Sequence, residues 1–536
     1  MKKRLLAALV GLSGAYPVFG EDWAQFRGPD ARGIASEASL PLDWGPEKNI
    51  LWKATVGGAA WSCPIVIGNR VIVTTAVAEG QPKPRSGGGF GGPGGGPGGG
   101  RPGGAPGGPG GGRPGGAPGG PGGGRPGGAP GGPGGGRPGG APGGRPGGPG
   151  GYGGGKGPDK EYTWKVICLD RATGKETWSA VASVGKPKYN THASNTFATE
   201  TPVADGERIY TWFGAAGVAI AHDLAGKELW KVDLGAYPTQ MGWGTASSPV
   251  LHDGKLFIQC DNEEKSFLVA LDARSGKEIW RTARSERTNW STPYLWKSKV
   301  RSELVVGGSQ KLRSYDPATG KVLWELAAGG GQANASPVGD AETLYFGTGM
   351  QGGGGGRGGP PGGGPPGGVP GGPPGGAPGG GRPGGFGGFG GGGTLFAIKA
   401  GASGDISLKE GETSSDYVAW SVAKAAPAAA SPLLVEGFLY LFERQGGLVS
   451  CLDAKTGKVQ FKERLPGAKA IWASPWSYAG KVFAIDEEGT THVLQAGPGF
   501  KVLGKNPLST DVYWSTPAIA GGNLFLRGVD NLFCVK

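Results

Sequence analysis

Leu271-Asp272-Ala273-Arg274-Ser275-Gly276-Lys277-Glu278-Ile279-Trp280, followed ten residues later by Ser291-Thr292-Pro293-Tyr294, is the stretch whose reading decides the fold. An alternating apolar strand runs into Asp272, a short turn follows, and a second strand opens at Lys277 and closes on a large aromatic. The Asp side chain can cap the turn and Gly can take a positive φ, so the segment reads as a tight hairpin. The pattern recurs as Leu169–Trp178, Tyr315–Trp324 and Leu452–Phe461, and one residue shorter as His222–Trp230. Its closing aromatic is a flat apolar plate suited to wedging between neighbouring sheets.

A second signal shares the period. A small or hydroxyl residue precedes Pro64, Pro202, Pro249, Pro293, Pro337, Pro432, Pro475 and Pro517, each followed by a short apolar strand and a turn. Where nothing intervenes these prolines stand 42 to 47 residues apart. About four short strands per repeat at this spacing predict an all-β fold, an eight-bladed β-propeller. The last repeat ends at Lys536, one strand short. The early segment Asn49-Ile50-Leu51-Trp52-Lys53-Ala54-Thr55-Val56 supplies the missing strand, with Trp52 as its aromatic, and closes the ring.

The chain has 536 residues, 117 of them Gly and 46 Pro. Ser86–Gly157 and Gln351–Gly393 hold 44 and 27 of the Gly and interrupt repeats one and five after their second strands. Neither can bury enough apolar surface to offset its ordering entropy, so both read as disordered insertions in a propeller spanning residues 21–536. Net charge is +12. Lys2, Lys3 and Arg4 carry three of these charges, Arg85 to Lys156 seven, and Arg357 and Arg382 two, which leaves the folded part neutral. A basic nucleic-acid-binding face is therefore not expected.

Residues 1–20 read as a cleavable signal peptide, with a basic start, the apolar run Leu5–Val10 and cleavage near Gly20. That predicts a periplasmic or secreted protein with no transmembrane span. Cys63, Cys168, Cys260, Cys451 and Cys534 are odd in number and none are adjacent, so they read as small core residues rather than as a metal or redox site. His222 stands before a repeat Asp, in an apolar position, and reads as a packed core histidine.

The Asp-x-x-Thr/Ser-Gly-Lys-x-x-Trp hairpin, with its Ser/Thr-Pro strand start, resembles the repeat of the pyrroloquinoline-quinone-type (quinoprotein-like) β-propellers. The resemblance covers about Trp23 to Lys536 apart from the insertions, and the opening Trp23-Ala24-Gln25-Phe26-Arg27-Gly28-Pro29 is similar to that of exported members. That family divides. One branch, BamB-like, consists of non-catalytic scaffolds of outer-membrane protein assembly. The other consists of quinone-dependent alcohol and sugar dehydrogenases, which the resemblance implies would need pyrroloquinoline quinone with calcium, a catalytic Asp, and a vicinal Cys-Cys opposite a Trp. No adjacent Cys pair and no haem-attachment motif occur in this sequence. The expectation is a non-catalytic binding or scaffold propeller at the cell envelope, with no metal or cofactor; the quinone oxidoreductase is the alternative.

The candidate site follows from propeller geometry. Loops leading to the prolines gather round one mouth of the central channel. They carry Trp61; His192 and Asn195; Gln240 and Trp243; Arg287, Asn289 and Trp290; Gln332 and Asn334; Lys469 and Trp472; and Asp511, Tyr513 and Trp514. Trp61, Trp290, Trp472 and Trp514 each stand three residues before a proline. The readings are seam packing, or an aromatic and polar funnel for a protein or saccharide partner of a monomeric propeller. No zinc-protease, nucleophile-elbow or phosphate-loop motif competes with these readings.

Overall fold

Strand formation follows the two repeat signals throughout the computed structural model, which describes residues 22–36, 40–84, 156–329, 331, 333–348, 393–444 and 446–536. The proposed signal peptide, most of both Gly-rich stretches and Gln332 lie outside the described residues. Eight antiparallel sheets succeed one another along the chain. Blades 1 to 7 cover residues 65–185, 203–233, 250–283, 294–327, 338–422, 433–464 and 476–507. Blade 8 joins Ala518–Ala520, Asn523–Arg527 and Asn531–Val535 to an outermost strand from the other end of the chain, Ile50–Thr55, with Trp52 opposite Cys534. The ring thus closes where the sequence placed the closure. Among the described residues there is no α-helix, only a 3-10 turn at Pro29–Ala31, and no helix long and apolar enough to cross a membrane.

The residue before each repeat proline has a structural role that the sequence only hinted at. Its backbone N–H donates to the side chain of its counterpart in the next blade. Cys63 donates to Thr201 Oγ1, Thr201 to Ser248 Oγ, Ser248 to Thr292 Oγ1, and Thr292 to Ser336 Oγ, at 2.9 to 3.1 Å. Ser336 donates to Ser431 Oγ, Ser431 to Ser474 Oγ and Ser474 to Thr516 Oγ1 in the same range. Thr516 closes the circle on Cys63 Sγ at 3.2 Å. Proline follows because the innermost strand turns one edge to the channel, where a missing N–H breaks no ladder bond.

The outer seams use the second signal. The repeat Trp lays its ring on the turn glycine of the next blade and donates its indole N–H to a carbonyl of that turn, except for Trp324, which donates to Glu303 Oε2 of its own blade at 2.6 Å. Trp178 reaches Leu224 O at 3.1 Å, Trp230 reaches Ala273 O at 2.9 Å and Trp420 reaches Ala454 O at 3.1 Å. Trp52 does the same across the closure, donating to Arg171 O at 2.8 Å. A Cβ on Gly174, Gly226, Gly276 or Gly457 would sit 2.5 to 2.8 Å from ring carbons of these indoles, so the plate needs a residue without one. Asp170, Asp272 and Asp453 each accept the backbone N–H three residues on, as the hairpin reading required.

Blade 5 departs from the repeat. Its last connection is longer, and Gly404–Asp405 adds a parallel fifth strand to the outer edge of blade 4, covering an otherwise open edge. Cys63, Cys168, Cys451 and Cys534 are buried free thiols. His222 is buried as well, and burial pulls its imidazole down to about 4. Both Gly-rich stretches depart between the second and third strands of their blades. Only their ends are described: Lys156 bridges Tyr189, and Gly393 donates to Thr348 O.

Candidate functional site

The channel has two dissimilar ends. Residues 23–35 cross one of them as a strap. Trp23 pairs with Val66 of blade 1, Ala24 accepts from Ala204 of blade 2, and Ile34 bridges Ser477 of blade 7. Asp30 holds Lys297 of blade 4 at 2.8 Å, and Arg27 Nη2 donates to Pro432 O of blade 6 at 2.6 Å. All these partners lie on or beside innermost strands, beyond the hydroxyl ring. The opposite end carries the pre-proline loops and the connections between second and third strands.

At that mouth the expected residues meet in linked groups. Trp514 stacks on Trp472 with centroids 4.0 Å apart and on Trp61 at 4.8 Å, the planes within 22°. Trp61 passes its indole N–H to Ser194 O of the blade 2 loop at 2.9 Å. In that loop His192 stacks on Trp243 at 4.1 Å, and Asn195 donates to Trp243 O at 2.7 Å. Trp290 donates to Gly244 O at 2.7 Å, Gln240 N–H to Thr288 Oγ1 at 2.8 Å, and Asn334 to Ala428 O at 2.8 Å. A belt of adjacent loops results.

Other expected residues do not face the mouth. Asn289 is buried, donating to Asp261 and accepting from Ala333 N–H. Tyr513 is buried with its hydroxyl on Ser509. Asp511 spends its carboxylate on the N–H groups of Val529, Asp530 and Asn531. Arg287 and Lys469 stay on the rim, paired with Glu263 and Glu488.

Two residues that the sequence reading missed complete the stack. The Arg444 guanidinium lies 4.9 Å over the Trp472 ring, a cation–π contact. Glu487 lies beside both indoles. Burial pushes its carboxyl up, while the indole N–H groups of Trp472 and Trp514 pull the other way. Glu487 Oε2, Trp472 Nε1 and Trp514 Nε1 are nonetheless enclosed without a well-formed hydrogen bond. Both residues come from connections between second and third strands, which share the mouth with the pre-proline loops; that rule was the available signal.

A polar recess lies between the blade 2 and blade 3 loops, lined by Trp212, Tyr237, Thr245, Ser247, Gln259 and Asp261. Glu200 Oε1 accepts from Gly214 N–H at its border, while Glu200 Oε2, Ser247 Oγ and Gln259 Oε1 have no partner. Burial pushes the Glu200 carboxyl up to about 7. A flat quinone needs more than such oxygens: it needs an open aromatic plate. Trp514, Trp472 and Trp61 use their faces on one another, Trp472 also carries Arg444, and Trp243 carries His192. Trp61 and Trp243 each have one face in these stacks.

Comparison with known proteins agrees with the repeat reading. A family model described as outer membrane protein assembly factor BamB matches residues 214–358. A polyvinylalcohol dehydrogenase of Pseudomonas sp is 28% identical over 150 residues, 20% of this chain and 23% of that protein, so the match spans about a quarter of the relative's length. The quinohemoprotein alcohol dehydrogenase of Comamonas testosteroni aligns over 96% of this chain and 80% of its own at 11% identity, with a TM-score of 0.53. BamB of Moraxella catarrhalis aligns over 68% of this chain and 90% of its own at 13% identity, with a TM-score of 0.45. Residues 214–358 are thus similar to the BamB-described family, and they lie within a propeller of eight blades among the described residues.

Proposed function

We propose that this is an exported, non-catalytic propeller that docks a protein partner at the cell envelope through the mouth face. The observation that carries the reading is the stack Trp61–Trp514–Trp472 with Arg444 and Glu487 at its end. Large aromatics and Arg dominate the energetics of protein contacts, and Trp472, Trp514 and Arg444 are partly exposed. Localisation at the envelope rests on the signal-like residues 1–20 and on the BamB-like family match.

The test is quantitative co-purification from the native envelope, comparing wild type with Trp514→Ala, Arg444→Ala and a remote control, Val459→Ala on an outer strand. Loss of one defined partner in the first two variants and retention in the third supports the reading. Equal recovery from all three overturns it. In the competing quinone reading, added pyrroloquinoline quinone and calcium would give a stoichiometric chromophore and dye-linked oxidation of an alcohol or sugar.

A further inference from the structure

Met241 is 63% exposed, the most exposed large apolar side chain among the described residues. It stands at the tip of the blade 3 pre-proline loop, between Gln240 and Trp243 of the mouth belt. Its φ of +50° lies in the left-handed region, which a long side chain rarely adopts. The tip is braced there. Gly242 N–H donates to Thr239 O and Trp243 N–H to Gln240 O, both at 3.0 Å, and Gly244 N–H donates to Thr239 Oγ1 at 2.8 Å. A thioether is thus held in solvent on the mouth face.

The other sulfur atoms among the described residues are sheltered. The chain has three methionines, and Met241 is the one that lies among the described residues. Cys63, Cys168, Cys451 and Cys534 are buried. Cys260 keeps some surface, but Asn262 Nδ2 lies 3.7 Å from its sulfur and burial pushes its thiol up to about 12. Burial raises the other four thiols as well. At neutral pH all five are therefore protonated, and the reactive species is the thiolate. A thioether has no proton to lose, so its oxidation follows access.

We propose that Met241 is an oxidation site, converted to its sulfoxide by a peroxide ahead of any of the five thiols, and that the sulfoxide weakens partner docking at the mouth. With hydrogen peroxide, the sulfur lone pair attacks one oxygen. The O–O bond breaks, an S–O bond forms, and the second oxygen leaves as water with the proton of the first. Sulfur gives up two electrons and the peroxide takes them. An apolar tip becomes a polar one, which must shed bound water to enter an interface. The docking half rests on the partner reading; the oxidation half does not.

Hydrogen peroxide is the probe. Peptide mass mapping of the treated full chain should show one added oxygen on the Met241 peptide while all five cysteines remain unmodified. Any cysteine oxidised first overturns the site. After removal of the peroxide, capture of protein from the native envelope is compared with that by untreated protein, for wild type and Met241→Leu. Treated wild type should lose the partner whose capture requires Trp514, and Met241→Leu should hold after treatment the amount it held before. Equal losses in both, or no loss in wild type, overturn the switch. Absence of any Trp514-dependent partner overturns the docking reading instead, and the mass map still decides the oxidation site.

Discussion

Thr516 N–H donates to Cys63 Sγ at 3.2 Å, and this one sulfur contact closes a ring of eight hydrogen bonds whose other acceptors are all hydroxyls. The join falls between blades 8 and 1, where the chain's two ends meet. Cys63→Ala leaves the buried Thr516 N–H unsatisfied and should cost about 1–3 kcal/mol. Cys63→Ser restores a hydroxyl and should unfold at or above the wild-type temperature. Calorimetry on the three proteins checks the order; an alanine variant as stable as the serine variant contradicts it.

Trp230 and Gly276 form one seam element. Trp230→Ala removes a buried indole and should cost about 3–5 kcal/mol. Gly276 has φ +71°, and a Cβ there would meet the ring at 2.8 Å, so Gly276→Ala is both strained and overpacked. The double variant should lose clearly less than the two single losses combined, because the clash disappears with the ring. Denaturant titration of the cycle measures this, and strict additivity would show that the two do not share a seam.

Glu200 predicts a pH dependence. Burial raises its carboxyl from 4.5 to about 7, so the fold favours the protonated form. Its favourable contribution is complete below about pH 4.5 and is lost as pH rises through about 7. Each unit corresponds to about 1.4 kcal/mol, so Glu200→Gln should gain up to about 3 kcal/mol over wild type at pH 8 and nothing at pH 4. Unfolding midpoints of both proteins across that range provide the check; a pH-independent difference would contradict the buried carboxyl.

The ring of blades was legible because every blade repeats the same local solution. Asp272, Gly276 and Trp280 lie within one hairpin, and the missing outer strand at Ile50–Thr55 betrayed itself through Trp52. The contacts that shape the channel were not legible, because their partners are hundreds of residues apart. Nothing local to Arg27 announces Pro432, and nothing in Gly404–Asp405 announces the edge of blade 4. At the mouth, the tryptophans three residues before prolines revealed the stack, yet the same pre-proline loops hold Asn289, which turns inward to the neighbouring loop at Ala333, and Tyr513, whose hydroxyl is buried on Ser509 of its own loop. Arg444 and Glu487 escaped notice because their connections carry no repeat signature.

The mouth stack should also report on itself. Its coupled indoles give a near-ultraviolet circular dichroism band that Trp514→Ala, the shared member, should reduce more than Trp290→Ala does. Equal losses would show that the indoles are not coupled as described.

Site-specific photo-crosslinking in the native envelope tests the docking face most directly. A photoreactive residue at Lys469, exposed on the mouth rim, should give one discrete protein adduct that disappears when Trp514→Ala is added. The same probe at Leu503, exposed on an outer strand of blade 7, should give none. Adducts from Leu503 but not Lys469 would contradict the account.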